Sequence, residues 1–373
     1  MTDEAAFAPF AAELAELTPA EAAPIDAHTH LGADEDGMSL DPERLIAYLD
    51  EIGPSARACV FPLHDPERRP AYRRPNDRVL AWARESGGRL IGYCRLDPAE
   101  EPVAEAERCL ALGARGIKLH PRAQAFAFGE PAAEAIFAVA RDAGVPILIH
   151  AGTGMDTMAP LAALALRYPD VGLVLAHAGI ADQGLLASRL AGHPRVVYDT
   201  ACFSATDVVQ LFARVPAERI VFASDVPYGR PAGGLYLALR AAAYAGLDAG
   251  ERARVAGGTM AALLDGRPLA PARPPRLAST RAVDGRLLRI SVYLLAAFAA
   301  AITPPPPDPQ RATRWIQISR AACRDPDPGA VGPALEHIDA ALAGAERLIA
   351  SGGPEAFMAV GLVMAAGAVA ATS

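Results

Sequence analysis

Pro24-Ile25-Asp26-Ala27-His28-Thr29-His30 is a short apolar run that ends on two histidines, and the same punctuation returns further along the chain. Gly116-Ile117-Lys118-Leu119-His120, Ile147-Leu148-Ile149-His150 and Leu173-Val174-Leu175-Ala176-His177 each close on a histidine, while Ile220-Val221-Phe222-Ala223-Ser224-Asp225 closes on a carboxylate. Side chains two apart on a strand share a face, so His28 and His30 point one way, as do Lys118 and His120. Polar residues repeated at strand ends are what a closed parallel barrel needs to assemble one site from many strands. Imidazoles converging with a carboxylate have a divalent metal as their natural centre.

Working outward from these runs, the pattern predicts eight strands, at 25–29, 58–62, 90–95, 116–119, 147–150, 172–177, 196–200 and 220–224. Amphipathic stretches lie between them, at 42–52, 76–86, 103–113, 130–143, 158–168, 184–191 and 207–215, and many end on Gly or Pro as helices do. Strand and helix in alternation argue for a parallel sheet with right-handed crossovers. Eight repeats in one segment fit a (β/α)8 barrel of the α/β class, the TIM barrel. A doubly wound open sheet is the alternative, but no G-x-G-x-x-G follows the first strand. The expected division is an N-terminal segment 1–23, the barrel 24–266, a Pro- and Arg-rich linker 267–284, and a small all-α domain 285–373 with helices near 287–302, 310–324, 332–350 and 354–371. The first and last of those helices are very apolar, yet each is shorter than the ~20 residues that span a bilayer, so burial in a bundle or at a subunit interface is the expectation.

The 373 residues are 52% apolar and 21% charged, ordinary for a soluble globular protein with a large core. A net charge of −8 does not support a nucleic-acid footprint. Residues 1–20 are acidic and alanine-rich, unlike a signal or transit peptide. Five scattered cysteines, Cys59, Cys94, Cys109, Cys202 and Cys323, suit a reducing compartment better than a disulfide framework, so a cytoplasmic enzyme without membrane or nucleic-acid partners is expected. Homo-oligomerisation is compatible with this composition. Of 35 basic residues, Lys118 alone is lysine. Arginine replaces lysine as a plain cation, but it is not deprotonated in proteins, so a single lysine in an apolar strand is a candidate for chemistry. Survival by chance is the competing reading.

One H-x-H pair is a weak signal. Asp26-Ala27-His28-Thr29-His30, Gly116-Ile117-Lys118-Leu119-His120-Pro121, His150-Ala151-Gly152, His177-Ala178-Gly179 and Ser224-Asp225-Val226-Pro227-Tyr228-Gly229, in that order and spacing, are a strong one. Over about residues 24–266 the chain resembles the amidohydrolase superfamily, and within it the amidohydrolase 2 branch that includes aminocarboxymuconate-semialdehyde decarboxylase. The resemblance implies a metal-dependent barrel with His28, His30, His150 and Asp225 as ligands, and His177 as a catalytic residue or second-metal ligand. Such a centre lowers the pKa of its water toward ~7. Asp225 is then the proton shuttle, and His177 polarises the substrate or orients the water. Zinc leads by ligand type, with manganese and iron as alternatives. Asp26 is expected behind the ligands, fixing a histidine tautomer.

Lys118 divides the mechanisms. The two-metal members of the superfamily use a fourth-strand lysine carbamate as a bridge, whereas the narrower branch usually works with one metal, and one ion is favoured here. Unmodified, Lys118 would hold a substrate carboxylate, and His120 would line the mouth or bind a loop. Arg95 shares a face with Tyr93 and suits an anionic substrate by a bidentate pair, a structural ion pair being the equal alternative. His64 and the Arg68, Arg69, Arg73 and Arg74 run fall in the loop after the second strand. The expected function is hydrolysis of an amide, lactone or related ester of a small molecule by a metal-activated water. Non-oxidative decarboxylation of an unsaturated or aromatic acid is the alternative, and a non-catalytic scaffold with a helical interaction domain is the third.

Overall fold

A computed structural model of the chain describes residues 3–152, 155–201, 204–277, 283–303, 306–352 and 354–373. Its strands are β1 (Ile25–Ala33), β2 (Ser39–Leu40), β3 (Arg57–Pro62), β4 (Leu90–Gly92), β5 (Cys94–Arg95), β6 (Ile117–Leu119), β7 (Ile147–Ile149), β8 (Leu173–Leu175), β9 (Val196–Asp199) and β10 (Ile220–Val221). All neighbours pair in parallel except β2, which folds back antiparallel on the end of β1 as a rim hairpin. β4 and β5 are two parts of the third barrel strand, interrupted at Tyr93, whose N–H donates to Val60 O at 2.8 Å. Between β10 and β1 the ring is closed by Ala27 N–H to Phe222 O (3.0 Å), Asp225 N–H to His28 O (2.9 Å) and His30 N–H to Val226 O (2.9 Å). Eight strands therefore form a barrel, as the run spacing predicts.

Two apolar clusters follow from strand alternation. Ile25, Ala27, Cys59, Phe61, Tyr93, Leu148, Val174, Val197 and Val221 point inward and fill the barrel, while the opposite faces meet the surrounding helices. Gly116 makes room inside the barrel, since a Cβ there would collide with the Tyr93 ring. The helical stretch from Ala249 to Leu264 is interrupted by a π turn at Arg254–Gly258, whose Val255 carbonyl accepts Phe222 N–H at 2.9 Å.

The N-terminal segment is not irregular. Asp3–Leu17 is a helix packed on the Pro231–Tyr244 and Gly332–Ser351 helices, with Phe10 edge-on to Tyr236 at 5.2 Å and stacked on His337 at 4.6 Å. The four long C-terminal helices, Gly285–Ile302, Thr313–Cys323, Gly332–Ser351 and Ala359–Thr372, share one apolar cluster with the outer barrel helices. Ala359–Thr372 is their buried centre, against Pro231–Tyr244 and Ala205–Arg214 of the barrel. The Pro- and Arg-rich stretch between barrel and bundle is pinned down where it is described. Arg273 reaches Glu218 (2.7 Å) and Glu251 (2.5 Å), and Arg276 reaches Glu251 (2.6 Å), both carboxylates being buried.

Gly285–Ile302 is the one described helix long and apolar enough to cross a membrane by length and composition, and a third of it is buried in the protein. Cys59, Cys94, Cys109 and Cys323 are buried free thiols, and Cys202 lies outside the described residues.

Candidate metal centre

Because β1 and β10 are hydrogen-bonded neighbours, His28, His30 and Asp225 arrive at one end of the barrel together. His28 Nε2 is 3.3 Å from His30 Nε2, and each of these nitrogens is 3.1 Å from Asp225 Oδ1. In a tetrahedral shell with metal–ligand bonds of ~2.0–2.1 Å the ligand atoms stand ~3.3 Å apart, so this triangle has the edges of one face of such a shell. His177 completes the group: its ring, that of His28 and the Asp225 carboxylate offer ligand atoms within 4.8 Å of one another.

Hydrogen bonds sort the histidines by tautomer. His28 Nδ1 donates to Asp199 Oδ2 at 2.9 Å, which turns the Nε2 lone pair toward the triangle. His177 Nδ1 donates to Ala201 O at 2.6 Å, which leaves Nε2 as its unprotonated nitrogen, 3.1 Å from His150 Nδ1. His150 therefore joins the cluster through His177, and its ring is stacked on His120 at 3.8 Å. His120 Nδ1 accepts Ala123 N–H at 3.3 Å as a helix cap, so its neutral ring carries the proton on Nε2. As oriented, His120 presents an N–H donor, with its ring stacked on that of His150. Burial, together with the neighbouring Lys118, holds His28, His30 and His150 well below the usual imidazole range, which is the neutral form that ligation requires.

The backbone at these positions is unusual. Asp225 (φ 57°), His177 (φ 58°), Ala178 (φ 52°) and Ile180 (φ 44°) are non-glycine residues in the left-handed region, a strain that clusters at functional sites. The turn after Asp225 is closed by Tyr228 N–H and Gly229 N–H to Asp225 O (2.8 and 3.2 Å), and a side chain at Gly229 would collide with the Ser224 carbonyl. Burial pushes the Asp225 carboxyl well up, and Lys118 pulls it back.

Lys118 lies fully buried in this group, its Nζ 3.3 Å from His28 Nε2 and 4.7 Å from the centre of the Phe61 ring. Desolvation brings it down to about 7, so the neutral amine is available near pH 7. Arg95, register partner of Lys118 on the adjacent strand, is also buried. Its guanidinium donates to Pro62 O at 3.1 Å, approaches His64 Nδ1 at 3.5 Å and lies 5.1 Å from the Tyr72 ring centre, while its buried Nε has no hydrogen-bond partner. Burial lowers the Arg95 pKa from the usual range, and among the described residues no carboxylate forms an ion pair with it.

Two residues singled out from the sequence are placed behind the cluster. Asp26 does not touch a histidine ring: its Oδ1 accepts the backbone N–H groups of His28 (3.2 Å) and Ser224 (3.0 Å), tying β1 to the end of β10. Tyr93 shares a face with Arg95 but not its depth. It lies fully buried in the barrel's interior cluster, 6.4 Å from Phe61, because the position two residues earlier on an inward face is one layer deeper. The basic loop is also largely neutralised, with Arg68 on Glu35, Arg69 on Glu100 and Arg74 on Glu67.

Asp199 takes the part given to Asp26. Besides His28 it accepts the N–H groups of His177 (2.8 Å) and Ala201 (3.0 Å), so one carboxylate sets two of the histidines. Its signal was parity: Asp199 shares the inward face of Val197 at a strand end. Asp199→Asn is expected to weaken divalent-metal affinity about 10- to 100-fold, the usual effect of removing a carboxylate behind a ligating histidine. Chelator competition measures it; an unchanged affinity with an unchanged melting temperature would remove Asp199 from the site.

A family model described as amidohydrolase matches residues 25–266. Among solved structures, a 5-carboxyvanillate decarboxylase from Novosphingobium aromaticivorans, with bound manganese, is 16% identical with a TM-score of 0.53, covering 66% of this chain and 99% of that one. A protein described as a probable 2-pyrone-4,6-dicarboxylic acid hydrolase from Acinetobacter baumannii, with citric acid bound, is 14% identical at a TM-score of 0.52, covering 65% and 99%. The IDCase of Metarhizium anisopliae is 15% identical at 0.52, covering 65% and 97%. No curated protein matches the chain in sequence.

Proposed function

Since the chain belongs to the amidohydrolase family, we propose that it is a metal-dependent hydrolase of a small, carboxylate-bearing molecule, cleaving an amide, lactone or related ester bond. The observation that carries this reading is the triangle of His28 Nε2, His30 Nε2 and Asp225 Oδ1 with edges of 3.1–3.3 Å. His28, His30 and Asp225 would hold one ion, with His177 and His150 beside it; zinc suits these ligands best. The ion, when bound, supplies Lewis-acid activation of water at neutral pH. Asp225 takes up the proton that the attacking water gives up and returns it to the leaving group. His177, held by Ala201 O, is fixed for orienting the reacting group. Arg95 offers a buried guanidinium to a carboxylate on the substrate.

Decarboxylation is the second reading. Lys118 and Arg95, two buried basic side chains in register, favour an acid as substrate in either chemistry. The readings separate by product: zinc-reloaded protein assayed on carboxylate-bearing lactones and amides, and on aromatic acids, is expected to release hydrolysis products without carbon dioxide. Carbon dioxide release instead would install the lyase. On the active substrate, Arg95→Met is expected to raise KM about thirtyfold or more with metal content unchanged, corresponding to the ~2 kcal/mol lost when one partner of a buried charge pair is truncated. An unchanged KM would return Arg95 to a structural role.

A further inference from the structure

We propose that the outward face of the Gly285–Ile302 and Thr313–Cys323 helices docks on an anionic lipid surface, the first helix lying in the plane of the interface. Exposed large apolar side chains are few among the described residues, and five of the eight, Val283, Leu288, Val292, Leu295 and Trp315, fall in this one region. Leu288, Val292 and Leu295 recur at i, i+4 and i+7, so they form a single stripe on the solvent side of Gly285–Ile302. Trp315 lies beside this helix, its ring centre 6.2 Å from that of Tyr293. Trp and Tyr are the side chains that settle at a membrane–water boundary. The stripe borders a recess of about 110 Å3 walled by Leu288, Val292, Leu295 and Val363. That is well below the roughly 300–1,000 Å3 of a small-molecule pocket, and suits the end of an acyl chain. On the opposite side of the same helix Leu287, Ile290, Leu294 and Phe298 are buried in the bundle core. Crossing a bilayer would dismantle that core, whereas lying on the surface leaves it whole.

Charge decides between a lipid surface and a second copy of the chain. On a chain of net charge −8, these two helices carry Arg286, Arg289, Arg314 and Arg320 and no Asp or Glu. Arg286 is matched by Asp284 and Asp325, and Arg320 by Asp339 and Glu346. Arg289 and Arg314 are exposed, and neither forms an ion pair among the described residues. A two-fold contact sets the same patch on both sides, so this face laid against itself would bring unmatched arginines together. Anionic headgroups complement them instead, and the aliphatic stems of arginine reach from an apolar stripe to a charged boundary.

The full chain is sedimented with sucrose-loaded vesicles, of phosphatidylcholine alone or of equal parts phosphatidylcholine and phosphatidylglycerol. Cosedimentation is expected with the anionic vesicles only, falling as salt is raised. Arg289→Gln and Arg314→Gln are each expected to weaken it about fivefold. Leu288→Ser combined with Val292→Ser is expected to weaken it about tenfold or more, at an unchanged melting temperature because both side chains are exposed. Should that variant melt early, the two arginine variants decide. No binding to anionic vesicles would overturn the proposal, as would equal binding to both vesicle types or binding that survives every variant. A dimeric wild type that ignores vesicles, made monomeric by the two serines, would overturn it too and give the face to a second copy. None of these residues belongs to the metal centre and no turnover is read, so failure of the hydrolase reading leaves the inference standing.

Discussion

Asp225→Asn is expected to lose turnover by about a thousandfold or more, within the 10²–10⁴ that a positioned acid–base group contributes. The substitution isolates chemistry from folding. Asp225 sits at φ 57°, a conformation asparagine tolerates better than almost any other residue, and its backbone bonds to His28, Tyr228 and Gly229 do not involve the side chain. Asparagine keeps the shape of the carboxylate, yet a neutral amide carries no proton between water and leaving group. Turnover, zinc content and melting temperature are the measurements. Wild-type turnover in this variant would remove Asp225 from the mechanism, whereas lost turnover with a lowered melting temperature would assign the residue to structure.

Lys118→Arg is the second large effect: activity falls by about a hundredfold or more, the order of the ~3 kcal/mol that an unpaired buried charge costs. Lysine at this position, brought down to about 7, supplies a neutral amine beside His28. Arginine stays charged. Metal count then decides the role. With one ion per chain, as expected, the variant keeps its zinc and shows a raised KM with some kcat left. A carbamate bridging two ions would instead make the variant lose the second ion, and bicarbonate would speed reloading of the wild type. Full activity with full metal content rejects both roles and returns the lone lysine to chance.

The barrel was legible because each strand ends on its own punctuation, and because side-chain parity on a strand is absolute: once His28 faces inward, so does His30. Depth was not legible. Tyr93 and Arg95 share an inward face, yet one fills the interior and the other reaches the mouth, a difference of one layer that only the register of neighbouring strands fixes. Asp26 and Asp199 are alike in the same way. Both are carboxylates on barrel strands, and which of them meets the His28 ring depends on which strand lies opposite, a long-range fact absent from local pattern. The Asp3–Leu17 helix was hidden by its composition, since alanine-rich text with scattered acids carries little face-to-face contrast. The Arg273 and Arg276 clamps were hidden by proline, which reads as spacer whatever its neighbours bind.

Those clamps have a consequence for the whole molecule. A bundle joined to a barrel by a loose tether meets it at an effective concentration set by the length of the leash. Ion pairs to the buried Glu218 and Glu251 fasten the leash partway along, and each halving of a flexible loop lowers its closure cost by about 0.6 kcal/mol. Association of bundle and barrel thereby closes a shorter loop than the length of the Pro- and Arg-rich stretch implies.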